Sequence, residues 1–222
     1  MRDCLAICLL VFGGIGAGRA EEISPPREPV AIAYTVRTGE QLQGPHVATY
    51  RLVEYSQQRG RWIVPDFGDY DFGQGGQRLL FAGAGAEFRP ARRTTLTQIV
   101  YFSQAVGPGS HGARYLWVWP VLDVNITPRL TAETVAYPSI PLNGAAQPGF
   151  DVDRAKMEYA VHRKLTAGAG YSGSICGGSA WKNKPFLTTT VTTRAGSFEF
   201  WLQRMPGGGQ IQVRYQLVRS ER

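Results

Sequence analysis

The 222 residues suffice for one domain of good size and a short extra segment. With a formal charge of +7 and only three cysteines, the chain offers neither a disulfide framework nor a cysteine-built zinc site. After the first twenty residues no run of 18 or more apolar residues occurs, which excludes a membrane helix in the remainder.

Residues 1–20, MRDCLAICLLVFGGIGAGRA, read as an export signal. Arg2 supplies a basic start, Leu5 to Ile15 an apolar stretch, and Gly18 and Ala20 small residues before a cleavage point. Cleavage would remove Cys4 and Cys8, leave Cys176 as a lone thiol in a Gly-rich loop, and set the charge at +6. An exported protein seldom meets nucleic acid, so its basic balance points to anionic lipid or anionic solutes. Residues 21–60 form a Pro-, Glu- and Gly-rich periplasmic lead-in, in which 30–36 and 46–56 are candidate extra strands.

From there to 218, stretches of period two rich in Thr, Val, Tyr, Phe and Trp alternate with Gly, Pro and Asn clusters. They fall at 61–72, 77–88, 94–104, 113–126, 130–139, 154–163, 165–174, 186–194, 197–205 and 210–218. Most are about 9–12 residues long, the length of a tilted membrane strand and longer than the usual 5 or 6 of soluble sheets. The connections alternate short (89–93, 127–129, 163–164, 195–196) and long (105–112, 140–153, 175–185), the rhythm of periplasmic turns and outer loops; the link 206–209 is a short exception. Counting back from the end gives ten strands, or twelve with the two in the lead-in; residues 219–222 form a short tail. The fold expected is therefore all-β, an antiparallel up-and-down transmembrane β-barrel of about ten strands within a range of eight to twelve.

One face of each strand would tolerate hydrocarbon. Leu80, Ala82, Ala84, Ala86 and Phe88 oppose Gly83, Gly85 and Glu87, and Ala155, Met157, Tyr159 and Val161 oppose Arg154, Lys156, Glu158 and His162. Phe198, Phe200 and Leu202 oppose Glu199 and Gln203; Ile211, Val213, Tyr215 and Leu217 oppose Gln210, Gln212, Arg214 and Gln216. Candidate lumen-lining residues are Glu87, Asp123, Glu133, Lys156, Glu158, Glu199 and Arg214. Tyr115, Trp117, Trp119, Tyr137, Trp181, Phe186 and Trp201 gather near strand ends and suggest interfacial girdles, although period two turns Trp117 and Trp119 inward.

Over residues 61–218 the architecture resembles that of bacterial outer-membrane β-barrel proteins in general. The resemblance implies an outer-membrane location and, as partners, outer-membrane lipid, lipopolysaccharide, the barrel-assembly machinery and a small solute. The chain departs from that pattern in ending VRSER behind Leu217, where such proteins usually end on an aromatic residue. A barrel of eight to ten strands is mostly filled by its own side chains, so the reading is a barrel without catalysis acting as a narrow channel, a ligand-binding barrel or a structural element.

Two alternatives stand beside it. A soluble periplasmic β-sandwich binding a ligand or carbohydrate would show the same alternation. An outer-membrane lipid-modifying enzyme would need a Ser with a His, for which Ser110 and His111 are neighbours in a loop and His46 and His162 the other histidines. The acidic stretches 66–71 and 149–153 lack the spacing of a calcium loop, so neither metal nor cofactor is expected.

Overall fold

Long stretches of period two with no helical spacing leave one way to satisfy every backbone group in lipid: close the sheet on itself. The computed structural model describes residues 30–41, 50–71, 77–205 and 208–221 and has that closure. Twelve antiparallel strands each pair with their sequence neighbours, and the first pairs with the last. They are β1 (Val30–Gln41), β2 (Tyr50–Arg59), β3 (Trp62–Asp71), β4 (Arg78–Ala91), β5 (Thr94–Val106) and β6 (Arg114–Asn125). The circuit continues through β7 (Leu130–Pro141), β8 (Gly149–His162), β9 (Leu165–Cys176), β10 (Lys182–Thr193), β11 (Gly196–Met205) and β12 (Gly208–Glu221).

The count is twelve, the top of the expected range, because both candidate strands of the lead-in join the sheet as β1 and β2. The expected tail over 219–222 is corrected: Arg219, Ser220 and Glu221 extend β12 and pair with Ile32, Ala31 and Val30. A β-sandwich would leave sheet edges, and β1, bonded to both β2 and β12, leaves none. The expected signal peptide over 1–20 and His46 lie outside the described residues.

Five short turns lie at the end of the barrel where β1 begins and β12 finishes, and longer connections such as 107–113, 142–148 and 177–181 lie at the other. Prolines break the ladder where they must, since they cannot donate. Pro65 sits in the register shift between Ile63 and Asp66 on β3. Pairing of β6 with β7 runs from Tyr115↔Pro141 to Trp117↔Ser139 and resumes only at Val121↔Val135, the gap holding Pro120 and Pro138.

The outer face is apolar on most strands. Leu80, Phe102, Leu122, Met157, Leu187, Phe200, Leu202 and Ile211 are all large and exposed. So much exposed apolar surface is foreign to a soluble monomer and suits hydrocarbon. Among the described residues the buried apolar cluster lies inside the barrel, against β3 to β6: Ile63, Leu79, Phe81, Ile99, Tyr101 and Trp117.

Candidate functional site: the barrel lumen

Glycines on the inner face give the lumen its two unlike walls. Gly68, Gly83 and Gly170 stand directly across the ladder from Phe81, Tyr101 and Phe186. A Cβ at any of the three would collide with the facing ring, so each ring lies over bare backbone. On the β3–β7 side this produces a continuous aromatic wall. Phe81 meets Tyr101 edge-on at 5.2 Å, Tyr101 meets Trp119 edge-on at 5.8 Å, and Trp119 stacks on Tyr137 at 4.1 Å. The Trp119–Tyr137 stack sits at the proline gap between β6 and β7, where the side chains bridge what the ladder does not.

The girdle expectation is corrected here. Tyr115, Trp117, Trp119, Tyr137 and Trp201 line the lumen, and Phe186 is buried in an inward stack on Trp201 at 4.1 Å. Trp181 alone of the seven lies near an outward ring, Phe150, at 6.4 Å. Period two had placed Trp117 and Trp119 correctly; the habit of reading strand-end aromatics as belts had not. Phe186 has a glycine, Gly170, across the ladder to make room for it, whereas Trp117, Trp119 and Trp201 face side-chain-bearing residues and turn inward by strand parity.

The second wall is ionic and amide-rich. Lys156 on β8 is the hub, its Nζ contacting Glu158 at 2.8 Å, Glu133 at 3.2 Å, and Glu199. Glu199 belongs to β11, three strands away. Gly168 and Gly170 clear the inner face of β9, so Lys156 reaches across it unobstructed. Glu199 also accepts from Trp201 Nε1 at 2.7 Å and from Arg214 at 3.4 Å, and Glu158 accepts from Thr190 at 2.9 Å and Thr166 at 3.0 Å. Arg154 donates to Glu133 and Asp153. Gln203 and Gln212 are hydrogen-bonded to one another beside Ser172, with Gln203 donating to the Ser172 hydroxyl at 2.6 Å.

One contact crosses the lumen. Arg37 on β1 donates twice to Asp153 on β8, at 2.6 and 3.2 Å, while its guanidinium lies 4.7 Å from the Trp201 ring centre. Four strands lie between β1 and β8 by the shorter way round, so this pair is a strut across the bore.

Of the seven lumen candidates, Asp123, Glu133 and Arg214 line the main cavity. Glu133, Lys156, Glu158, Glu199 and Arg214 surround a smaller one. Glu87 stands apart near the short-turn end, where it accepts from Gln58 at 3.3 Å and pairs with Arg89 at 3.2 Å. Sequence reasoning missed Arg37, Glu54 and Asp66. Asp66 and Glu54 flank the Tyr101 hydroxyl, which donates to them at 3.0 and 3.2 Å. Ser110 and His111 line the cavity at the long-connection end, but the Ser110 hydroxyl donates to the Gly107 carbonyl at 2.8 Å, as turn residues do. His162 accepts from the Lys164 backbone N–H at 3.4 Å, at a turn.

The main cavity measures about 1140 Å³. Ser110, His111 and Gln147 line it at the long-connection end and Ala31, Gln58 and Val218 at the short-turn end, so it runs the height of the barrel. Twelve strands leave this space where eight to ten would be filled.

No protein-family model and no curated sequence matches the chain. Solved structures do. The KdgM porin superposes with a TM-score of 0.59 at 9% identity, covering 86% of this chain and 98% of its own. The NanC porin gives 0.55 at 10% identity over 85% and 99%. An outer-membrane channel from Pseudomonas putida F1 gives 0.51 at 12% identity over 92% and 100%. The chain has the fold of bacterial outer-membrane porins.

Proposed function

We propose that the protein is a narrow outer-membrane channel without catalysis, passing small polar solutes and favouring cations over anions. The observation that carries this reading is the lumen cavity that runs from one rim of the barrel to the other between the aromatic and the ionic wall. Among the described residues the two cavities are lined by eight carboxyl groups and five basic side chains, although the chain as a whole is basic. Fixed charge of one sign in a low-dielectric bore raises the local concentration of the opposite ion. The seven lumen candidates belong to this reading, with Glu87 at the rim and the other six setting the charge of the path.

The KdgM porin has been seen in complex with disordered oligogalacturonate. That ligand is not carried over to this chain, whose excess of carboxyl groups argues for cations and neutral polar solutes instead. Outer-membrane lipid, lipopolysaccharide and the barrel-assembly machinery are the partners that go with such a location.

Planar-bilayer recording tests the proposal. The refolded protein should give discrete conductance steps, and in a potassium chloride gradient the reversal potential should take the sign of the potassium equilibrium potential. A folded, inserted barrel that carries no current would sink the channel, and a reversal potential of the opposite sign would sink the selectivity.

A further inference from the structure

The two ends of the barrel differ in the charge of their connections. Each of the five short turns carries Arg or Lys, and none carries Asp or Glu. They read Gly60–Arg61, Arg92–Arg93, 126–129 ending in Arg129, Arg163–Lys164, and Arg194–Ala195. Arg59, Arg89 and Arg219 on the adjoining strand ends are exposed as well. At the opposite end the described connections 107–113, 142–148 and 177–181 contain no Lys, Arg, Asp or Glu, and the exposed cations Arg51, Arg78, Arg114, Lys182 and Arg204 lie on strand ends, Arg78 paired with Asp69.

A second observation sets the height of these cations. Trp62 and Tyr159 point outward near the short-turn end and are 53% and 48% exposed. Amphipathic rings in that position sit at the boundary between hydrocarbon and headgroups. The Arg61 guanidinium lies 4.8 Å from the Trp62 ring centre, and the Arg129 side chain lies beside the Tyr159 hydroxyl. Two of the turn cations are thus held beside boundary residues, at the depth of lipid phosphates.

We propose that the ring of short turns is a binding surface for anionic phospholipid headgroups of the leaflet at that end. The proposal rests on the membrane placement above and assigns the charge asymmetry a partner. A cation near a membrane surface favours an anionic over a neutral lipid by about fivefold, and turns spaced around the whole circumference would each recruit a headgroup.

The test uses the full chain refolded in mild detergent, with folding checked by the change in gel mobility on heating. Native mass spectrometry then counts bound phosphatidylglycerol against phosphatidylcholine of the same acyl chains. The unsubstituted protein should prefer phosphatidylglycerol by about tenfold or more. The variant R61Q/R92Q/R163Q/K164Q should lose that preference, and R51Q/R114Q/K182Q/R204Q, which removes four cations at the other end, should keep it. Equal binding of the two lipids, or equal loss in both variants, would overturn the proposal. So would displacement of the bound lipid by inorganic phosphate, which would make free anions the ligand. A chain that stays soluble without detergent and shows no heat-dependent mobility would refute the membrane placement itself, a result distinct from a folded barrel that ignores headgroup charge.

Discussion

Replacing Lys156 by Met removes the ammonium while keeping the unbranched stem, and it isolates the ionic wall. The lysine is 5% exposed and its Nζ is shared among three carboxylates. Removing one partner of a buried ion pair typically costs about 3–5 kcal/mol, because the other charge is left without compensation. Three stranded carboxylates would exceed that, but each keeps another donor: Arg154 for Glu133, Thr166 and Thr190 for Glu158, Trp201 and Arg214 for Glu199. A loss of about 3–5 kcal/mol is therefore expected. Urea unfolding in micelles, followed by tryptophan emission, should show a lower midpoint at unchanged slope. Glu87→Gln is the control: its partner Arg89 is 79% exposed, and breaking such a pair should cost less than about 1 kcal/mol. Adding E199Q to K156M should restore part of the loss, since the two residues share one contact and their effects cannot add. A loss below about 1 kcal/mol for K156M would refute the reasoning, because it would mean that the lumen solvates the cluster as bulk water does.

Two further perturbations address the two faces of the wall. Leu202 points outward near the middle of β11 and pairs with Leu187 of β10; Leu202→Arg should destabilise the barrel in lipid vesicles by about 2–4 kcal/mol, whereas a cost within about 0.5 kcal/mol would mean that this face meets water. Cys176 is exposed, ends β9 and lines the cavity. A positively charged methanethiosulfonate should lower the single-channel conductance and weaken cation preference, Cys176→Ser should abolish both effects, and unchanged conductance after complete labelling would place the current path elsewhere.

Period two made the faces of the strands legible. Once Glu199 is inward, so are Trp201 and Gln203, and the same parity holds for Gln210, Gln212, Arg214 and Gln216 on β12. Closure between the ends also followed, because an even number of strands brings both termini to one end. Partners were not legible. Lys156 lies opposite Glu133 and Gly170 in the ladder, yet its shortest contact is with Glu199, because strand stagger displaces levels that look aligned in sequence. Arg37 escaped for another reason: it lies one residue past the candidate strand 30–36, which runs on to Gln41 as β1 and carries the strut to Asp153. The aromatic wall had a readable signal that went unused. In AGAGAEF, Gly83 marks where the Tyr101 ring of the neighbouring strand lies against the backbone, while Gly85 makes the same room for Ile99.

The two walls also explain how one barrel can be stable and open at once. Twelve strands enclose more space than side chains can fill with a single layer, and an apolar lining exposed to a water column would be costly. Here the apolar side chains are gathered on one side, where Phe81, Tyr101 and Trp117 bury one another as an internal core against β3 to β6. The Lys156 cluster is gathered on the other, where each of its carboxylates already has a hydrogen-bonding partner. What remains is a cavity between the two walls, with Arg37 and Asp153 bracing it across. Widening the bore at this strut would sacrifice the contact that holds β1, at the closing seam, against the opposite wall.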